Sequence, residues 1–231
     1  MAQDIEGYDK TYIADFELGY KTDTYDSEGK IIAQSQIESV SKEKMLAALE
    51  KFKGYIEQVP PMYSAIKVDG KKLYELAREG IEIERAKRPV TIHQIELLEF
   101  DGKKGKIECE VSKGTYIRSL IDDIGIELAT YATMTGLDRI KVGKEELEKS
   151  YKLEELEELV EKKDFTFLTS IEDYFVYPKT EISQEKDITL FLNGQRVKKD
   201  LPDGRYRVYL GEKFLGLGEV QNRLLKGYKY Y

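Results

Sequence analysis

The chain of 231 residues has one cysteine, Cys109, one histidine, His93, no tryptophan and only 5 prolines. A single thiol cannot close an internal disulfide, and with a single imidazole it cannot complete a structural zinc site of four nitrogen or sulfur ligands. With one histidine, neither a Ser-His nor a Cys-His catalytic pair is credible, and His93 within a β-type pattern reads as an ordinary strand residue. No apolar run approaches the roughly 20 residues that cross a bilayer as a helix, and the opening MAQDIEGYDK has no basic-then-apolar export pattern. These features predict a cytoplasmic protein without a structural zinc site. Acids outnumber bases, 44 to 37, and the net charge of -7 argues weakly against nucleic acid. The distribution is uneven, however, with basic clusters at 67–72, 101–106, 194–199 and 222–231 and acids crowded into 144–164. A basic face can coexist with an acidic helix.

What is present reads as a globular α+β chain, 41% hydrophobic and 35% charged. In YIADFEL (12–18), Tyr12, Ala14, Phe16 and Leu18 alternate with more polar positions, the period of a half-buried strand. A polar turn over 21–30 and a returning strand over 31–37 follow. Ser41 then caps a helix carrying Met45, Leu49 and Phe52. Adjacent prolines hold the chain extended near Pro60, Asp69-Gly70 signals a hairpin, and Leu73, Leu76 and Ala77 mark a short helix. Strands are predicted over 88–100 and 106–112.

After Val111 the apolar period changes from two to that of a helix, with Ile117, Leu120, Ile121, Ile124 and Leu128 on one face. SKGTYIRSL (112–120) is therefore a strand-to-helix corner, and Ser112 or Thr115 is an available cap. Arg118 has a planar donor set suited to a carboxylate or phosphate, although a surface arginine on an amphipathic helix has the same spacing. Asp122 and Asp123 are neighbours on that helix and point in different directions, so they form no paired acid site. Asp23, Asp26 and Glu28 lack the spacing of an EF-hand. An acidic helix is predicted over 152–163. Beyond about Asp173 the pattern becomes short strands, at 188–197, 203–210 and 213–220, and predicts a separate small β domain.

Several long stretches, DKTYIADFELGYKTDTYDSEGK (9–30), QVPPMYSAIKVDGKKLYELAREGIEIE (58–84), RPVTIHQIELL (88–98) and VSKGTYIRSLIDDIG (111–125), resemble the bacterial tRNA pseudouridine synthase B family in the family's own order. FLNGQRV and GLGEV in the tail are similar to its C-terminal RNA-binding domain of PUA type. The resemblance implies an α+β core with a mixed, mainly antiparallel sheet and flanking helices over 1–172, and a small PUA-type β domain over 173–231. It implies isomerisation of a uridine in the tRNA T-loop to pseudouridine, with the tRNA T-arm as partner and no cofactor.

By position, Tyr12 matches the tyrosine that packs on the target base and takes part in the proton chemistry. Arg118 matches the arginine that pairs with the catalytic aspartate, and Asp26 an acid that contacts the active site. Tyr116 and Leu137 match substrate-binding residues, Leu137 lining the uracil pocket. An extruded base needs flat side chains to stack against.

The family's nucleophilic aspartate belongs to a GTLDP-like motif upstream of Tyr12, and no such motif occurs in these 231 residues. Asp138 in TGLDRI falls instead where the family has an arginine, so it is rejected as the nucleophile. The expectation is an N-terminally shortened family member, inactive alone, with Arg118 turned to water or paired with another acid. Exposed sheet edges would favour self-association or a complementing N-terminal fragment. The alternatives are a non-catalytic tRNA-binding module and a truncated gene product.

Overall fold

The computed structural model describes residues 2–231 and divides into two compact units, Met1–Ser150 and Tyr151–Tyr231. The first unit begins with helix α1 (Ala2–Glu6) and strand β1 (Lys10–Leu18), followed by the small hairpin β2 (Tyr20–Thr22) and β3 (Ile31–Gln34). Helix α2 (Lys42–Glu50) is capped by Ser41, whose hydroxyl accepts the Lys44 N–H. Strand β4 (Gly54–Gln58) precedes the hairpin β5 (Lys67–Val68) and β6 (Lys71–Lys72), joined by Asp69-Gly70, and the short helix α3 (Leu73–Arg78). The long strands β7 (Arg88–Phe100) and β8 (Lys104–Val111), helix α4 (Ile117–Glu127), strand β9 (Ala132–Val142) and strand β10 (Glu145–Glu146) complete it, with a 3₁₀ turn at Leu147–Lys149.

Six strands form one antiparallel sheet in the order β10-β9-β1-β8-β7-β4. Strand β1 sits inside it, with Ala14 opposite Ile107 on β8 and Leu137 on β9. The alternation read in YIADFEL survives: Ala14, Phe16 and Leu18 are buried and Tyr12 packs at the margin of the same core. Helix α4 lays Ile117, Leu120, Ile121 and Ile124 into that core with Met45 and Leu49 of α2. Each such side chain contributes roughly 1.5–3 kcal/mol through burial. Gly125 is required where α4 meets the start of β9, because a Cβ there would lie 2.3 Å from the Ala132 nitrogen. Strand β9, which carries Leu137, shows no clean alternation in sequence because its buried residues gather at one end, Ala132 to Met134.

The second unit holds helices α5 (Leu153–Glu161) and α6 (Ile171–Tyr174), strand β11 (Lys179–Glu181), helix α7 (Glu185–Leu192) and strands β12 (Arg196–Lys198), β13 (Gly204–Leu210), β14 (Lys213–Gln221) and β15 (Leu224–Tyr230). Its curled five-stranded sheet runs β11-β13-β14-β15-β12, with only β11 and β13 parallel. One expectation changes here. Residues 188–192 are helical rather than part of a strand, because Ile188 and Phe191, one turn apart, both reach the core of this unit. The boundary between units falls at Ser150/Tyr151, ahead of the change of texture at Asp173. Residues that follow it already associate, as in the edge-on contact of the Tyr151 and Phe167 rings at 6.1 Å. Among the described residues, no helix is long and apolar enough to cross a membrane.

Candidate active site

The site grows from the corner between β8 and α4. Gly114 takes a φ of +86°, which lets the chain reverse, and Thr115 donates its hydroxyl proton to the Ser112 carbonyl, bracing the turn. Tyr116 occupies the N-cap of α4 without a side-chain cap, so neither Ser112 nor Thr115 caps the helix. A residue that sequence reasoning passed over compensates. The amide of buried Gln58 accepts from the Tyr116 N–H at 2.8 Å and donates to the Tyr116 carbonyl at 3.1 Å, imitating one rung of a β-ladder. Ser119 donates to the Val59 carbonyl at 3.0 Å. The extended segment from Gln58 is thus buttoned to the start of α4.

Two residues on from Tyr116, the Arg118 guanidinium bonds to the chain itself through its two terminal nitrogens. Its Nη1 donates to Asp26 Oδ2 at 2.9 Å and to the Thr24 carbonyl at 3.3 Å, while Nη2 donates to the Tyr63 carbonyl at 2.8 Å. The acid on Arg118 is therefore Asp26, and about a fifth of each side chain remains exposed. Asp26 is itself prearranged: its Oδ1 accepts the Thr24 hydroxyl at 2.6 Å and the Glu28 N–H at 3.2 Å, and Thr22 binds its carbonyl. The loop carrying it is tied to β9 by the Met134 N–H to the Tyr25 carbonyl and the Ser27 N–H to the Met134 carbonyl.

The other sequence-derived candidates lie on neighbouring elements. Tyr12 is opposite Arg139, and Leu137 is opposite Ala14, so Tyr12 and Leu137 are diagonal neighbours on one face of the sheet. Leu137 is 43% exposed, unusual for a leucine on a face that elsewhere forms the core. Asp138 is opposite Ile13 and projects from the other face of the sheet, away from the Tyr12–Leu137 side. Asp23 is used structurally, accepting the Lys30 N–H at 2.9 Å, and His93 is 3.3 Å from Asp9. Among the described residues, no group of three or more His, Cys, Asp or Glu could hold a metal ion.

Burial shapes the titration of groups nearby. Asp123 on α4 is pushed up to about 6, first by burial and then by the adjacent Asp122 carboxylate. Burial also raises Asp122, against the pull of Lys21, whose ammonium stands 2.7 Å from it. The Cys109 thiol, across from Tyr12 on β8, is pushed up to about 12 by burial and is a core residue, not a nucleophile.

A long antiparallel sheet with a strand-to-helix corner and a curled terminal β unit together define an α+β fold that solved structures share. A solved H/ACA ribonucleoprotein, bound to a substrate RNA containing 2'-deoxyuridine, shares that fold over 99% of this chain and 68% of its own, at 20% identity with a TM-score of 0.61. A Cbf5-Nop10-Gar1 complex matches comparably, with a TM-score of 0.60 at 22% identity, again over 99% of this chain and 68% of its own.

Sequence comparison is more particular. Residues 1–117 match the N-terminal domain of the TruB family pseudouridylate synthases, and residues 178–226 match the C-terminal domain of pseudouridine synthase II TruB. The chain is 55% identical to tRNA pseudouridine synthase B of Fusobacterium nucleatum, covering all of this chain and 81% of that protein. It is 40% identical to the same enzyme of Francisella tularensis subsp. novicida, covering 77% of it. The chain belongs to the TruB family of tRNA pseudouridine synthases.

Proposed function

We propose that the Tyr12, Asp26, Tyr116, Arg118 and Leu137 constellation is the uridine site of a synthase that acts on the T-loop of tRNA. The reaction breaks the N1–C1′ glycosidic bond and forms C5–C1′; the C5 proton leaves and N1 gains one. In this reading Tyr12 and Leu137 receive the extruded base on their shared face of the sheet, Tyr12 also serves the proton chemistry, and Tyr116 borders the pocket. Arg118 is the anchor for carboxylate charge and Asp26 holds it in place. The single observation that carries the reading is the Arg118–Asp26 pair at 2.9 Å, in a chain that belongs to this family.

The family's nucleophile has no counterpart within these 231 residues, so by themselves they bind the T-arm without turnover. Asp26 is read here as a supporting acid and not as the nucleophile, its oxygens accepting from Arg118, the Thr24 hydroxyl and the Glu28 N–H. A T-arm stem-loop incubated with the chain and then analysed for pseudouridine tests this: no product is expected, and product would assign the acid to a residue present here.

A second reading, a tRNA-binding module without chemistry, is favoured by the bonds that tie Arg118 to Asp26, Thr24 and Tyr63. It predicts tRNA affinity that falls steeply with salt and is indifferent to Arg118→Ala. The synthase reading predicts that linking a GTLDP-containing segment from a relative ahead of Met1 produces turnover that Arg118→Ala abolishes.

A further inference from the structure

Asp26 lies on a loop outside the main sheet, yet it must meet a helix residue 92 positions away in sequence. Hydrogen bonds from Thr22 and Thr24 shape the loop from within, and Met134 fixes it against β9. These bonds hold the loop on β9, and the Arg118 bond to the Thr24 carbonyl adds one neutral contact to α4 itself.

Two ion pairs do join the loop region to that helix. Asp26 meets Arg118 at 2.9 Å, and Lys21, which enters the loop from β2, meets Asp122 at 2.7 Å. Arg118 and Asp122 are four residues apart on α4, hence on one face and about 6 Å apart along the axis. The polarities are opposite: the helix offers a cation and then an acid, and the loop offers an acid and then a cation. We propose that Lys21 and Asp122 are a positioning pair that fixes the one register in which Asp26 meets Arg118. The inference rests on reading Arg118–Asp26 as part of the uridine site.

The electrostatics allow only that register. A slip of one helical turn would bring Asp26 toward Asp122, or Lys21 toward Arg118, setting like charges together. The second pair is also the more deeply buried, with side-chain exposures of 18% for Lys21 and 6% for Asp122, against 23% and 19% for Arg118 and Asp26. Lys21 carries most of the compensation for the buried acid: Asp122 Oδ2 takes its ammonium, while Oδ1 finds no hydrogen-bond donor among the described residues. The Lys21 ammonium also lies 4.7 Å from the centroid of the Tyr25 ring, the residue immediately before Asp26. Displacing Lys21 therefore disturbs both the helix end of the link and the backbone next to Asp26. A pair retained only to neutralise Asp122 would work equally well with its charges exchanged; a register pair would not.

That difference supplies the test, made on the whole 231-residue chain. Two quantities are read: the thermal midpoint, and the solvent exchange of the Arg118 guanidinium protons by NMR, assigned from the signal lost in Arg118→Lys. Neither needs substrate, so the outcome is separate from whether the chain acts on tRNA. Lys21→Met is expected to speed Arg118 exchange by about tenfold, and Lys21→Arg to leave it as in the parent. If Lys21→Met fails to fold, the uncharged pair Lys21→Gln with Asp122→Asn keeps a hydrogen bond and is expected to lose the same Arg118 protection. The exchanged pair, Lys21→Asp with Asp122→Lys, is expected to recover the thermal midpoint while Arg118 remains unprotected. Arg118 exchange within twofold of the parent in Lys21→Met or the uncharged pair, or full protection in the exchanged pair, would overturn the proposal.

Discussion

The two units solve the problem of a stable interior differently. Among the described residues, every buried polar or charged side chain except Thr180 belongs to the first unit: Gln58, Ser119, Asp122 and Thr133 are examples. The second unit closes a largely apolar core of Ile182, Phe191, Val197, Val208, Leu215, Val220 and Leu225, in which the Tyr206 hydroxyl donates to the Pro202 carbonyl. It keeps its cations outside, as where Lys179 lies over the Tyr209 ring and Arg205 over the Tyr228 ring. Burying polar groups costs desolvation that hydrogen bonds only partly return. The first unit bears that cost around α4, where side chains distant in sequence must meet in one arrangement. The second needs only its shape.

The contrast can be broken most severely from the apolar side. Phe191→Ala in the second unit removes a fully buried ring and is expected to cost about 3–5 kcal/mol, read by urea unfolding of the whole chain. On the polar side, Gln58→Leu keeps the bulk but strands the N–H of Tyr116, while the Tyr116 carbonyl keeps the Leu120 N–H. A loss of about 1–3 kcal/mol is expected, accompanied by faster amide exchange at Tyr116; near-neutral stability would mean that the amide is ornamental. Asp26→Ala leaves Arg118 without its acid but still bound to two carbonyls and partly in water, so about 1–2 kcal/mol is expected, below the figure for a fully buried pair.

A smaller effect depends on pH. The folded state holds Asp123 protonated up to about 6, whereas in the unfolded chain it ionises near 3.8. The folded state therefore binds more protons between those values, and this group's contribution to stability is present below pH 4 and lost as pH rises toward 6. Asp123→Asn should flatten that slope and raise the thermal midpoint at pH 7; an unchanged profile would contradict the burial argument. Smallest of all, Lys53→Ala should move stability by less than about 0.5 kcal/mol, since its pair with Glu50 is exposed on both sides.

Much of this architecture is legible in local patterns. The period of two in β1, its change to a helical period after Val111 and the Ser41 cap all announce their elements, because each is enforced by residues a few positions apart. The misreading at ITLFL has the same origin: a short apolar run fits a strand or a helix, and only the burial of Phe191 against its own unit decides between them. Within the site, Arg118 stands out because it follows a glycine-bearing corner. Gln58 and Lys21 do not, since their partners lie 58 and 101 residues away and a lone polar residue carries no period. The meeting of Asp26 with Arg118 likewise belongs to tertiary structure, although family resemblance singles out both residues in advance.

The central proposal is that Arg118, held by Asp26, works with Tyr12, Tyr116 and Leu137 as the uridine site of a tRNA pseudouridine synthase. Its most direct test is pseudouridine formation on a T-arm RNA by the chain joined to a relative's GTLDP-containing segment, compared with the same protein carrying Arg118→Ala. The account expects product from the first and none from the second, with T-arm binding retained in both. Equal product from the two proteins would contradict it.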